Sequence, residues 1–442
     1  MKKVELHRVG LYIFFILSLS LMFLGFYRNQ WHAARPKRFS TFQKDVEGYV
    51  LARIMLSRQS GIFSEGGLLG WMDVDPQDVN QDDYENQYDI YLNDLTFTTY
   101  WPKKSHSGFQ GIFFSILDLA SPFSSSNNLR LFRMFASGLF AATLSGFIVW
   151  FYREFGWLSA IFVLASILSS QWMTVFGRNL FFVSGLFYLP TLILLFRFSK
   201  EKTGTELSYI GLFRLVFIFI LIKCLFNGYD FILPTLGMVA SPVIYFGIQE
   251  NWNKEKFTKR FLIVVSASLL AILASFLILS VQVTAASGNF QNGFESILTT
   301  IKRRVTNTST DISPVYQEAN NASTWLILKI YLRESYFFKF SVPYFIIIIF
   351  FAFMTVIYKI ISRAFHLQKS TLSKGNALII TTWFSILGPL GWYTIFKSIA
   401  YYHTHMNYLP WHMPFTLLGF GFCGYIFQTM INQVIDKYRR FG

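Results

Sequence analysis

Residues 262–279 read LIVVSASLLAILASFLIL, eighteen positions without a charge. A helix apolar on every side has no face for water, and about 18 such residues are enough to reach across a bilayer core. Runs of this kind recur along the chain. Of its 442 residues 53% are hydrophobic and only 14% charged, which excludes a soluble globular protein. The expected fold class is an all-α polytopic membrane protein, a single transmembrane domain over residues 1–442.

Apolar stretches of suitable length fall at 9–27, 131–151, 157–176, 180–196, 207–226, 231–248, 261–284, 342–361, 377–396 and 411–430, predicting about ten transmembrane helices. The net charge of +15 does not point to nucleic acid, because the cations mostly flank apolar spans, where they set topology and meet lipid headgroups. Lys2, Lys3 and Arg8 precede an apolar run with no small-residue cleavage site, so a retained signal-anchor helix is expected. Cys224 and Cys423 both lie in apolar stretches and suggest neither a disulfide framework nor a zinc site.

The basic clusters Arg197/Lys200/Lys202, Lys254/Lys256/Lys259/Arg260, Lys359/Arg363/Lys369/Lys374 and Lys437/Arg439/Arg440 fall on the side of the N-terminus. The positive-inside rule then puts both termini in the cytoplasm of a multi-pass plasma (inner) membrane protein. Two long extracytoplasmic loops result, residues 28–130 and 285–341. The second carries the triplet Lys302, Arg303, Arg304 and two sequons, at Asn307 and Asn321.

The first loop opens with FSTFQKDVEGYVLARIMLSRQSGIF, in which Val46, Val50 and Ile54 recur every four residues. That pattern predicts an amphipathic helix lying at the interface, with Asp45, Tyr49 and Ala52 on one face. Glu47 stands about 200° from Asp45, so the two acids are not a facing pair. A second interfacial element is expected at 107–123. Between them the acidic stretch 73–89 resembles a calcium loop loosely, without its turn glycine, and reads as a solvated loop.

The short outer turns each carry polar residues at a helix end. They are Arg178 with Asn179, Lys223 with Asn227, Tyr229 and Asp230, and a group comprising Lys397, Tyr401, Tyr402, His403, His405, Asn407 and His412. Arg130 and Arg133 join them at the start of the second span. Ionisable groups at membrane depth are costly, and a basic outer rim suits a phosphate or pyrophosphate. Against this, single cations at helix ends are commonly snorkelling anchors, and Trp392 and Trp411 read as aromatic-belt residues. His403 and His405, two apart, suit opposite sides of a turn better than one metal site. No HExxH, GxSxG, P-loop or GxGxxG context occurs. Pro190, Pro234 and Pro389 interrupt apolar stretches without the paired arrangement of a transporter.

One helix, a long outer loop opening with an acid on an interfacial helix, then many short-looped helices: this plan resembles the GT-C superfamily of integral-membrane glycosyltransferases. Protein O-mannosyltransferases and the aminoarabinose transferases acting on lipid A belong to it. In those families the first loop often begins with a DE-x-x-Y-like run before an Ala-Arg-x-x-Leu/Met-like helix. Here the counterpart is Asp45-Val46-Glu47-Gly48-Tyr49, then Ala52-Arg53-Ile54-Met55 and Gly61. The resemblance covers that stretch and the hydropathy plan. Val46 separates the acidic pair, and spacing from the first helix together with Tyr49 favours Asp45 as the family's catalytic acid.

What the resemblance implies is transfer of a sugar from a polyprenyl-phosphate or polyprenyl-diphosphate carrier to a glycan, lipid or protein acceptor outside the cytoplasm. Asp45 would serve as general base, with Glu47 the second candidate acid. The donor phosphate would meet Arg53, Arg130, Arg133, Arg178, Lys223, Arg303, Arg304, His403 and His405. Tyr49, Tyr229, Asp230 and Asn407 would contact substrate. Membrane lipid and the polyprenyl-linked sugar donor are the expected partners. No metal-ligating set is expected, and the need for a divalent cation stays open. The rival readings are an O-antigen polymerase or ligase, working through outer-loop Arg and His, and a non-catalytic lipid-linked-saccharide translocase.

Overall fold

Eight of the ten apolar stretches fall, among the described residues, in helical segments long and apolar enough to cross a membrane. A computed structural model describes residues 2–73, 83–202, 204, 206–291, 293–295, 298–299, 318–319, 321–333, 340 and 342–441. Its elements begin with α1 (Lys2–Arg28), α2 (Pro36–Ser60), β1 (Gly70–Asp73), α3 (Asp83–Asn93), β2 (Thr99–Pro102) and α4 (Phe109–Ala120). There follow α5 (Ser125–Phe155), α6 (Trp157–Leu168), α7 (Gln171–Gly177), α8 (Gly185–Glu201), α9 (Tyr209–Asn227), α10 (Ile232–Gln249) and α11 (Lys254–Ser287). Last come α12 (Thr324–Arg333), α13 (Tyr344–Ala364), α14 (Lys369–Ser385), α15 (Leu387–Ile395), α16 (Lys397–Tyr402) and α17 (Phe415–Phe441).

Among the described residues eight helical segments are long and apolar enough to cross a membrane, and the chain is an all-α, multi-pass membrane protein. The expected 157–176 helix is broken at Ser169–Ser170, where the Ser170 hydroxyl caps α7 by accepting from the Met173 amide at 3.3 Å. The expected 180–196 helix starts only at Gly185 and runs 17 residues. Hydropathy averages over a window and cannot register a cap of this kind.

Lipid-facing surface is legible on α11, where Leu262, Leu269, Leu273, Leu277 and Val281 are all more than half exposed. Apolar residues there point away from the protein, the reverse of a soluble helix. Inside, α1 packs on α5, α9 on α11, α10 on α14, and α6 on α17. The last contact depends on Gly424. A Cβ there would lie 2.6 Å from the Leu158 carbonyl oxygen and from Ser159 Cα, both backbone atoms that cannot rotate away. Gly424→Val is expected to cost about 1–3 kcal/mol by overpacking. Thermal unfolding in detergent checks this: an unchanged midpoint, matching that of the half-exposed control Val434→Ala, would refute the close approach.

Members of three of the four basic clusters assigned by charge to one side pair with neighbouring acids, and the side chains of Lys437, Arg439 and Arg440 lie outside the described residues. Lys202 and Lys374 both reach Glu154, at 2.8 and 3.4 Å. Arg260 pairs with Glu201 at 2.8 Å and Glu206 at 2.6 Å, and Lys256 also holds Glu206.

The expected interfacial helix is α2; Lys37, Ser40 and Thr41 near its start are exposed, but its central turns do not lie on a surface. Val46, Val50, Leu51, Ala52, Ile54 and Met55 are buried around its whole circumference, and so are Glu47 and Arg53. It packs against α3, α4, α7 and β1. The four-residue periodicity marked one buried stripe. The opposite side is buried too, because its charges find partners. Pro36 starts the helix, where a missing N–H costs nothing, and Gly61 at φ 91° ends it. The strands were not expected from the sequence: β1 and β2 pair antiparallel, Trp71 opposite Trp101.

Candidate functional site

Beside α2 lies a cavity of about 660 Å³, within the usual size of a small-molecule site. Val46 and Tyr49 of α2 form one wall. Lys103, Ser105 and His106, after β2, form the next, and Phe181 and Phe182 of the α7–α8 turn a third. Asp230 and Phe231 before α10, Trp392 of α15, and residues from Ser398 to Asn407 complete it.

Local rules explain each wall. Gln43 of α2 accepts from Asn179 Nδ2 at 2.9 Å, and Asn179 Oδ1 accepts from the amides of Phe181 and Phe182 at 2.9 and 3.2 Å. The α7–α8 turn is thereby pinned to α2. The small sheet carries Lys103 into place: its amide donates to the Leu69 carbonyl at 2.6 Å, continuing the ladder. Its ammonium lies 3.8 Å from the Tyr49 ring centroid and 5.2 Å from that of Phe181. Trp71 meets Tyr49 edge-on at 5.3 Å from across β1. Gly228, at φ 55°, permits His106 to close in, since a Cβ there would sit 2.6 Å from the imidazole.

The last wall is organised by Asn407. Its Oδ1 accepts from Trp392 Nε1 at 2.8 Å, and its Nδ2 donates to the His403 carbonyl at 2.8 Å. Trp392 and Trp411 are therefore core residues, 1% and 0% exposed, not belt anchors. His403 and His405 line the same cavity, ring centroids 5.5 Å apart, and do not occupy opposite sides of a turn. Arg38 donates to the His405 carbonyl at 2.9 Å.

Burial and then Arg38 push the His405 imidazole down to about 4, so it is neutral at pH 7. The folded value is below the unfolded one, so the unfolded chain binds more protons between about pH 4 and 6.5. Stability is accordingly full above that window and falls as pH drops through it. His405→Gln is expected to flatten this segment of the stability–pH curve; an identical curve would exclude the burial.

The two candidate acids differ. The side chain of Asp45 lies outside the described residues; its backbone belongs to α2, one turn before Tyr49, on the helix face that Tyr49 shares. Glu47 is 0% exposed and is not among the cavity-lining residues. Arg133 Nε lies 3.1 and 3.3 Å from its two oxygens, Arg133 Nη2 contacts it as well, and Tyr88 donates to it at 2.6 Å. Burial, then the Glu47 charge, holds the Tyr88 phenol well above its usual range.

Several expected phosphate contacts sit elsewhere. Arg178 donates to the Phe39 carbonyl at 3.0 Å and lies over that ring. It is pushed down to about 10 by burial and by Arg133, within the patch that holds Glu47. Arg53 spends its guanidinium on Ser57, Gly61 and Ser64 at 2.6–3.1 Å, closing the end of α2. Lys223 donates to the Gly228 and Asp230 carbonyls at 2.9 and 2.7 Å, capping the turn after α9. Tyr229 stacks on Phe276 at 4.1 Å and bonds Ser275. His412 is buried between Ser170 and Tyr344, at 3.0 and 3.1 Å. Arg130 is exposed on α5. Arg303 and Arg304 lie outside the described residues, as does 74–82, most of the acidic stretch.

Of the expected site residues the cavity thus unites Tyr49, Asp230, His403, His405 and Asn407, and it adds Lys103, His106 and Trp392. The pair Lys103–Lys104 beside a histidine was a visible signal in the sequence, but nothing there tied it to α2. Among the described residues no group of three or more His, Cys, Asp or Glu side chains could hold a metal ion. Neither the family models, nor the curated proteins, nor the solved structures contain a match to this chain.

Proposed function

We propose that the chain is a GT-C-like glycosyltransferase that moves a sugar from a polyprenyl-phosphate-type carrier to an acceptor on the extracytoplasmic face. The observation that carries this reading is the cavity against α2, walled by Tyr49, aromatic rings and the Lys103 ammonium. The face of α2 that bears Tyr49 also bears position 45. Ion pairing of Lys202, Lys374 and Arg260 with Glu154, Glu201 and Glu206 supports a cytoplasmic location for these basic clusters and for both termini.

In this mechanism an acceptor hydroxyl attacks the anomeric carbon from the side opposite the carrier phosphate. The carbon–oxygen bond to phosphate breaks, its electron pair leaving with the phosphate, and the hydroxyl proton passes to the Asp45 carboxylate. The product is inverted. Phosphate is a good leaving group and needs a cation, not a second acid, so one carboxylate suffices.

Purified chain in phosphatidylcholine nanodiscs, given prenyl-linked sugars and a panel of protein, lipid and glycan acceptors, should release free prenyl phosphate or diphosphate. No release from any donor would sink the reading. That His403 and His405 share the cavity favours a second reading, a polymerase- or ligase-type transferase working through imidazole. If His405→Gln abolishes release while Asp45→Asn leaves it intact, the second reading replaces the first.

A further inference from the structure

We infer that the acceptor is a glycan, and that the open face of the β1–β2 hairpin is the surface on which its chain lies as it enters the cavity. This rests on the glycosyltransferase reading and goes beyond it, since that reading leaves protein, lipid and glycan acceptors open.

Strand register sets the face. Directly opposed residues of an antiparallel pair point to one side, as do positions two apart on a strand. Trp71 pairs with Trp101 and Asp73 with Thr99, so these four side chains share a face, and Lys103 extends it through its amide bond to the Leu69 carbonyl. The opposite face is closed against the protein by Gly70 and Met72, both buried. On the open face Trp101 is 59% exposed, and its indole Nε1 donates to the Asp73 carboxylate, which fixes the ring. Trp71, half-buried, leans on α2 at Gly48, where a Cβ would stand 3.3 Å from the indole, and it meets Tyr49 edge-on at 5.3 Å. Tyr49 lines the cavity. Three aromatic rings therefore lead from an exposed surface to the cavity, with Asp73 at the outer end and Lys103 at the inner.

A sugar ring matches this alternation. Its C–H face is apolar and carries partial positive charge, which suits the negative face of an aromatic ring, while its hydroxyl rim needs carboxylate, hydroxyl and ammonium partners. An acyl chain would desolvate Asp73, Thr99 and Lys103 without giving them partners. A peptide strand pairs with a sheet edge and does not stack on a face. The inner end of the track is Tyr49, whose helix face also bears position 45, so a glycan lying on it presents its terminal hydroxyl where the transfer needs a nucleophile.

For the test, the full chain in phosphatidylcholine nanodiscs is titrated calorimetrically with glucose, mannose and N-acetylglucosamine, each as monosaccharide and as linear tetrasaccharide, and with unstructured Ser/Thr-rich peptides. Stacking tolerates differences in sugar identity, so a tetrasaccharide should bind at least about tenfold tighter than its monosaccharide, the contribution of one more stacked ring with its buried area. Trp101→Ala should remove that advantage, weakening the tetrasaccharide about tenfold and the monosaccharide less than about threefold. Trp101→Phe, which keeps an aromatic face, should stay within about threefold of wild type. The control Phe63→Ala, at a 74%-exposed residue outside the hairpin, should change nothing. Equal affinity for both lengths overturns the inference, since the cavity then acts without the hairpin. Unchanged affinity in Trp101→Ala overturns it as well and makes the indole an interfacial anchor. So does equal loss in the Ala and Phe variants, or binding of the peptides in place of the sugars. If no sugar binds, the inference falls, while donor release, which decides the transferase reading, is unaffected. If sugar binds and no donor is cleaved, that reading falls and takes the acceptor role with it.

Discussion

Asp45→Asn is expected to slow sugar transfer by about 10²–10⁴-fold while leaving donor affinity unchanged, the effect of losing a general base. The acceptor hydroxyl is a weak nucleophile, and an amide cannot take its proton as the new bond forms. Donor binding should survive, because the lysine lining the cavity, Lys103, is left in place. The fold should survive as well, since α2 is held by its buried Val50, Leu51, Ile54 and Met55. Single-turnover transfer and donor binding, measured on one preparation, separate these effects. Normal turnover in the variant would remove Asp45 from the chemistry. A matched loss of affinity and rate would make it a binding residue instead.

Arg133→Met is expected to destabilise the chain by about 3–5 kcal/mol, the usual cost of stranding a buried charge. Glu47 is 0% exposed, and both of its oxygens are engaged by Arg133, so removing the guanidinium leaves a carboxylate with, among the described residues, only Tyr88 as a near donor. The double variant Glu47→Leu/Arg133→Met should regain most of the loss, because replacing a whole buried pair by apolar groups is often neutral. Tyr88→Phe alone should cost less, about 1.5–3 kcal/mol, one hydrogen bond to a charged group. Thermal or denaturant unfolding in detergent distinguishes the three. If Arg133→Met unfolds like wild type, the pair is too well hydrated to matter. If the double variant is worse than either single, repacking at α2 fails for another reason.

This pair also changes the meaning of the acidic run. Read along the chain, Asp45 and Glu47 were alternatives for one role. In the fold Glu47 ties α2 to α5 and α3, on the side of the helix away from Tyr49. A two-residue offset on a helix turns a side chain by about 200°, and that rotation alone divides a cavity wall from a structural ion pair.

Long-range charge pairing is what linear inspection misses most consistently here. Arg178 and Lys223 are cations near helix ends and Arg53 lies within α2, and each looked available to a ligand. Arg53 and Lys223 are consumed by backbone carbonyls within 11 residues of themselves, and Arg178 by Phe39, 139 positions away. Nothing in the sequence tied Lys103 to α2, yet a four-residue strand pairing carries it onto the Tyr49 ring.

From the amino acids alone came the membrane class, the position of most spanning helices to within a few residues, and the helix at 36–60. Each follows from local quantities: apolar length against bilayer thickness, and periodicity along one helix. Tertiary structure alone decided that the central turns of α2 are buried on all sides, that apolar stretch 157–176 is two helices, and that Lys103, His405, Trp392 and Tyr49 enclose one space. The reason is physical. A side chain's exposure and charge environment depend on which distant backbone and counter-charge it meets, and that information resides in contacts, not in composition.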